Sequence, residues 1–153
     1  MSAYGITADT AENSPEIEKQ WAVKAVHHAE TYMKLLKALP PRKMKFTPID
    51  DEIYQDFTKS FPAFPVSLIA LDLLKTEAAK AKWRDFINRY EKKVQDFNFG
   101  TLLRIDSTGD YEEENTTFVT RLQFFAIEIA RCRQGANDAV YEGAKEGNNA
   151  NGR

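Results

Sequence analysis

"RLQFFAIEIARCRQG", residues 121–135, is the densest apolar run in the chain, and charge runs right through it. At about 100° per residue, a helix gathers Leu122, Phe125, Ala126 and Ile129, with Phe118 ahead of them, onto one broad face. Gln123, Arg131, Glu128 and Arg121 fall opposite, with Glu128 three residues before Arg131, the spacing of a surface ion pair. A strand would be unusually long and would set Glu128 among Leu122, Phe124, Ala126 and Ala130. The run therefore predicts a helix. Gly135 stops it at a position that wants a left-handed residue, and Arg131 and Arg133 suit the negative end of the dipole. Phe124 and Ile127 do not fit the stripe, because they point among the charges. They form either a second core face or an exposed patch.

Working outward, residues 1–13 are small, polar and acidic, and are expected to be loose. Ser14 as N-cap and Pro15 as first residue open a helix with a stripe of Trp21, Ala25, His28, Tyr32, Leu35 and Leu39, closed by Pro40 and Pro41. Thr47 and Pro48 begin a second helix, with Ile49, Ile53, Phe57 and Phe61 spaced by four. "VSLIALDLL" reads as a short strand near 66–70, although periodicity alone leaves a helix start open. Residues 76–97 form a clearer helix, with Trp83, Phe86, Ile87, Tyr90 and Val94 on one face. "FGTLLRID" alternates as a strand, and "STGDYEEENTT" is a turn and acidic loop whose Asn115, Thr116 or Thr117 caps the helix quoted above. After Gly135 the chain holds at most one more turn before a disordered Gly/Asn-rich tail over 143–153. The expected fold is α+β: one globular domain over 14–142, predominantly helical, with a small β-sheet.

The composition is that of an ordinary globular protein of 153 residues, with 42% apolar and 29% charged residues. A net charge of −2 gives no basic footprint, so nucleic-acid or anionic-membrane binding is not expected. The single cysteine, Cys132, suits a reducing compartment, and no stretch approaches the roughly 18 apolar residues of a spanning helix. The expected location is cytosolic or nucleocytoplasmic.

The residues do not point to catalysis. Gly100 and Gly109 stand alone, without the spacing of a phosphate loop. His27 and His28 are adjacent and point about 100° apart on a helix, poorly placed to share one metal. Cys132 sits where the helix dipole opposes a thiolate. Asp50 and Asp51 are first-turn residues, and Glu112, Glu113 and Glu114 read as a solvated acidic loop. Arg104 and Asp106, on alternate strand positions, read as a surface pair. No cofactor, no metal and no catalytic residue is expected.

Four segments carry a resemblance. "DFNFGTLLRID" (96–106), "YEEENTTFVTRLQFFAIEIARCRQGAN" (111–137), "DDEIYQDF" (50–57) and "KWRDF" (82–86) resemble the small eukaryotic polysaccharide biosynthesis domain-containing proteins, over roughly residues 15–142. The resemblance implies a cytosolic chaperone that holds the nascent GTP-binding domain of translation elongation factor 1-alpha at the ribosome, with the nascent polypeptide-associated complex. The family label suggests instead an enzyme of carbohydrate biosynthesis. The sequence ends soon after "AVYEG", where the resemblance implies a long charged tail in the animal members. A client-holding monomer needs an apolar patch with a polar rim. On that reading the contact residues are Arg104, Asp106, Glu113, Glu114, Asn115, Arg121, Phe124, Ile127, Glu128 and Arg131.

Overall fold

A computed structural model describes residues 15–151, with side chains over 16–147. The expected loose segment 1–13 and the Ser14 cap lie outside the described residues. Helix α1 (Pro15–Ala38) is followed by a 3-10 turn (Pro41–Lys43), then by α2 (Asp50–Ser60), α3 (Asp72–Lys75) and α4 (Glu77–Asn88). Strands β1 (Gly100–Arg104) and β2 (Thr116–Thr120) lead into α5 (Arg121–Gln134), and α6 (Asp138–Asn151) completes the described chain. The fold is thus α+β, mostly helical, with a two-stranded antiparallel sheet that pairs Gly100 with Thr120 and Arg104 with Thr116.

Helix α5 runs through the centre. The Thr/Val-rich stretch before it pairs as β2, so its cap is Thr120 rather than Asn115, Thr116 or Thr117. Thr120 and Gln123 form a reciprocal capping box: Gln123 N–H donates to Thr120 Oγ1, and Thr120 N–H donates to Gln123 Oε1 at 2.9 Å. Gly135 terminates the helix with φ 87°. Because Phe118 belongs to the strand, it faces outward, half exposed, instead of joining the helix core. Its ring lies directly over Gly100, so a side chain at position 100 would have to push the Phe118 ring aside.

Two aromatic clusters flank α5. Phe57 from α2 and Phe61 just past its end pack with Phe64 and with Trp83 and Phe86 from α4, Phe61 stacking on Trp83 at 4.1 Å between centroids. On the other flank, Tyr32 and Phe46 meet Phe124 and Phe125. The buried arc of α1 consists of Ala25, Ala29, Tyr32, Met33 and Leu36, while Leu35 and Leu39 stay largely exposed. The expected stripe is therefore rotated, because α6 packs along one flank of α1 while β1 takes the other.

Three further expectations differ. Residues 66–70 make one β-bridge, Leu68 to Asp106, instead of a strand, and α3 follows. The 76–97 helix stops at Asn88, with Tyr90 and Val94 buried from the turns beyond it. Residues expected as a tail continue α6 as far as Asn151.

Candidate functional site

The side chains expected on the far face of α5 are inside the protein. Phe124 and Ile127 are buried, as are Glu128 and Arg131, and so is Arg104 from β1. These five cannot touch a partner directly, which corrects the surface reading of each. Phe124 meets Tyr32 and Phe46 edge-on, and Ile127 belongs to the same core cluster. Both are a second core face because α5 is covered by the sheet, α2 and α4, and on the remaining side by Tyr32 and His28 of α1.

The expected ion pair between Glu128 and Arg131 is present at 2.7 Å, but with neither side chain exposed. Charge in the interior must be matched and hydrogen-bonded. Glu128 Oε1 accepts from Tyr32 Oη at 2.5 Å and from Asn137 Nδ2 at 3.0 Å, and lies 3.5 Å from Arg104 Nη2. Burial pushes this carboxyl up, and Arg131, Arg104 and the hydrogen bonds from Tyr32 and Asn137 pull it below its ordinary value. The Tyr32 hydroxyl is driven the other way, by burial and then by the Glu128 charge.

Two arginines face one carboxylate, and the excess positive charge is directed at backbone carbonyls. Arg131 donates to the carbonyls of Val66 (2.7 Å), Arg104 (2.7 Å) and Ile105 (3.2 Å). Arg104 donates to those of Ser107 (2.7 Å) and Gly109 (3.1 Å), and to Asn137 Oδ1 (2.8 Å). Planar guanidinium groups, with several donors in fixed directions, suit this task better than lysine would. The effect is to clamp the start of the β1–β2 loop from beneath.

The outer part of that loop is tied by Asn115 and Asp106. Asn115 accepts from Asp106 N–H at 2.8 Å and donates to the Asp106 and Asp110 carbonyls. Asp106 itself accepts from Thr108 N–H and Oγ1, so it fastens a turn and makes no pair with the interior Arg104. What the clamp presents to solvent is Glu112, Glu113 and Glu114, all exposed, with Asp110 beside them, 3.8 Å from Lys37. Glu114 raises the carboxyl of Glu112 through a shared hydrogen bond and mutual repulsion, the sign of a crowded negative edge. Arg121 is exposed at the opposite end of the hairpin, 5.0 Å over the Phe125 ring. The expected contact residues therefore fall into four places: an acidic loop, a buried clamp, the apolar core around Phe124 and Ile127, and a distant arginine.

Tyr32, Ser107 and Asn137 complete the clamp and were not expected in it. Asn137 follows Gly135, where an asparagine reads simply as turn chemistry. The surface has shallow depressions, one of about 160 Å³ beside Trp21, His28 and Arg121. His28 keeps a solvent-facing side, but its ring lies edge-on to Phe124; burial first, then Arg121 and His27, hold its pKa below the ordinary value. A second depression, about 400 Å³, lies along the 41–51 segment above buried Cys132, whose thiol burial pushes up to about 11. Among the described residues no cluster of three or more His, Cys, Asp or Glu is placed to hold a metal ion, and no helix is long and apolar enough to cross a membrane.

Comparison with known proteins gives a consistent picture. The Saccharomyces cerevisiae protein named "Protein PBDC1 homolog" is 50% identical over 144 residues, which is 92% of this chain and 97% of that protein. Human "Protein PBDC1" is 46% identical over 96% of this chain, and mouse "Protein PBDC1" 49% identical over 84% of it. The chain spans 66% of the human protein's length and 65% of the mouse protein's. A solution NMR structure of a Saccharomyces cerevisiae protein superposes with a TM-score of 0.79 at 48% identity, covering 90% of this chain and 97% of that one. The family model described as "PBDC1 protein" matches residues 17–142, the segment that contains both the clamp and the acidic loop, and the chain belongs to that family.

Proposed function

We propose that the protein is a cytosolic co-translational chaperone that binds the nascent GTP-binding domain of translation elongation factor 1-alpha and assists its folding. On this reading it works at the ribosome with the nascent polypeptide-associated complex and carries out no catalysis of its own. The observation that supports it best is the pairing of an interior clamp with an exposed acidic loop. Arg104 and Arg131 together bind five backbone carbonyls, so Glu112, Glu113 and Glu114 project from a backbone that is already ordered. A pre-ordered charged surface loses little conformational entropy on binding and steers encounter with a positively charged client surface. The interior carboxylate Glu128 is committed to Arg131, Arg104, Tyr32 and Asn137, an arrangement that does not favour the carbohydrate-enzyme reading.

The test is capture during cell-free translation. Tagged protein is added while elongation factor 1-alpha or an unrelated GTPase is synthesised, and ribosome-bound chains are recovered. Enrichment of elongation factor 1-alpha is expected, with slower capture by a Glu113→Lys, Glu114→Lys variant of unchanged melting temperature. Equal recovery of the two nascent chains would overturn the proposal.

A further inference from the structure

The outer edge of β2 and helix α4 enclose a groove of about 350 Å³, on a different part of the surface from the acidic loop. Its floor is apolar, formed by Trp83, Ile87 and Val119, and the backbone of Phe118 makes one lip, the half-exposed ring lying on Trp21 at 5.2 Å between centroids. Lys75, Lys80 and Arg84 stand around it, and no carboxylate lines it. Lys80 reaches Glu77 only at 4.0 Å, and that glutamate is 94% exposed. On a chain of net charge −2, this concentrates positive charge beside apolar surface.

The edge of β2 would ordinarily invite another strand. Here its backbone is already occupied at two points: Lys75 Nζ donates to the Phe118 carbonyl at 2.8 Å, and Thr120 N–H is taken by Gln123. An occupant must therefore dock through side chains rather than backbone pairing. Lys75 lies on the surface, yet partial desolvation and then the neighbouring Lys80 lower its pKa, and an incoming carboxylate would offset the repulsion from Lys80.

We infer that this groove binds an acidic amphipathic segment of a partner protein, its apolar side chains lying along the floor of Trp83, Ile87 and Val119 and its carboxylates meeting Lys75, Lys80 and Arg84. The inference deepens the client-binding reading and rests on it for the nature of the occupant, a segment of a protein client. Charge complementarity selects an acidic segment over a basic one.

The two tryptophans make the test specific. Trp83 Nε1–H donates to the Leu73 carbonyl at the groove, whereas Trp21 Nε1–H donates to the Gly100 carbonyl in the depression beside His28. The probe is a synthetic amphipathic peptide of about four helical turns, with leucines on one face and glutamates elsewhere, beside a twin carrying lysines. In ¹⁵N-labelled protein the glutamate peptide should shift the Trp83 indole signal saturably, and by more than that of Trp21, whose ring reaches the groove only through Phe118, 5.2 Å away. A Lys80→Glu, Arg84→Glu variant should bind at least about tenfold more weakly, with an unchanged melting temperature because both side chains are exposed. A larger shift at Trp21 than at Trp83, equal binding of the lysine twin, or undiminished binding by the variant would each overturn the inference. The variant is also put through the translation capture. If wild type and variant capture elongation factor 1-alpha equally, the groove inference fails and the client reading stands. If wild type captures none while the glutamate peptide still saturates at Trp83 and is lost in the variant, the client identity fails and the groove stands.

Discussion

Helices α1 and α5 invert the usual relation between polarity and depth in opposite ways. Helix α1 leaves Val23 66% exposed and Leu35 43% exposed, while α5 holds Glu128 and Arg131 at 0%. The cause is position. Helix α1 lies at the margin, so its apolar residues outnumber the neighbours available to cover them. Helix α5 is surrounded, so every one of its faces must be made compatible with an interior, by packing or by pairing. Scattered exposed valines and leucines are ordinary for a protein surface. Buried charge is not, and its presence in α5 marks the part of the molecule whose geometry is most tightly specified.

That contrast breaks most readily at Glu128. Replacing it with alanine leaves Arg104 and Arg131 buried without their carboxylate, and a destabilisation of about 3–5 kcal/mol is expected. Denaturant melts measure it, and a variant as stable as wild type would show that the carbonyls alone hold both arginines. Next in size is Ile127→Gln, which places an amide in packed apolar surroundings at a cost of roughly 2 kcal/mol or more. Leu122→Ala serves as its comparison, and the two should melt earlier by similar amounts.

A smaller effect comes from acid. His28 titrates below its ordinary value of 6.5 in the folded protein, so the unfolded chain takes up the proton first and stability falls as pH drops from about 7 toward 5. His28→Gln should flatten that slope. Glu128, held below the ordinary carboxylate range, adds its own loss only at more acidic pH, as protons reach the clamp. The least effect is expected on α1: Val23→Ser should change stability by about 0.5 kcal/mol or less. A larger change would mean that this exposed face of α1 is covered by something, and the contrast with α5 would narrow.

Most helices are legible in the sequence because they have marked ends and one apolar face. The four-residue spacing from Ile49 to Phe61 announces α2, although it starts at Asp50, two residues after Pro48 and without a Thr47 cap, and Gly135 ends α5 where a left-handed residue is needed. The strand–helix junction is also written there, as Thr120-x-x-Gln123, a capping-box signature with which Asn115, Thr116 and Thr117 compete as caps. The clamp is harder to read. A glutamate three residues before an arginine looks the same on a surface as in a core, and helical periodicity records one apolar face without telling what covers the other. Arg104 alternates properly with its strand neighbours, so its burial depends on α5 and the turn after it, elements distant in sequence. The acidic loop was legible as acidic and exposed; its fastening by Asn115 and Asp106 was not, since both are also ordinary turn residues.

The clamp carries a consequence for how the chain acquires its shape during synthesis. Its members come from Tyr32, Val66, the β1 region, α5 and Asn137, so the contacts join points up to 96 residues apart. A chain made only as far as β2 holds Arg104 before its carboxylate exists and Val66 before its guanidinium donor has been translated. The early helices can form and collapse, but the interior has no stable arrangement until α5 and the turn beyond it arrive. Such non-local closure makes folding late and all-or-none, with the most deeply buried charges acting as the final latch.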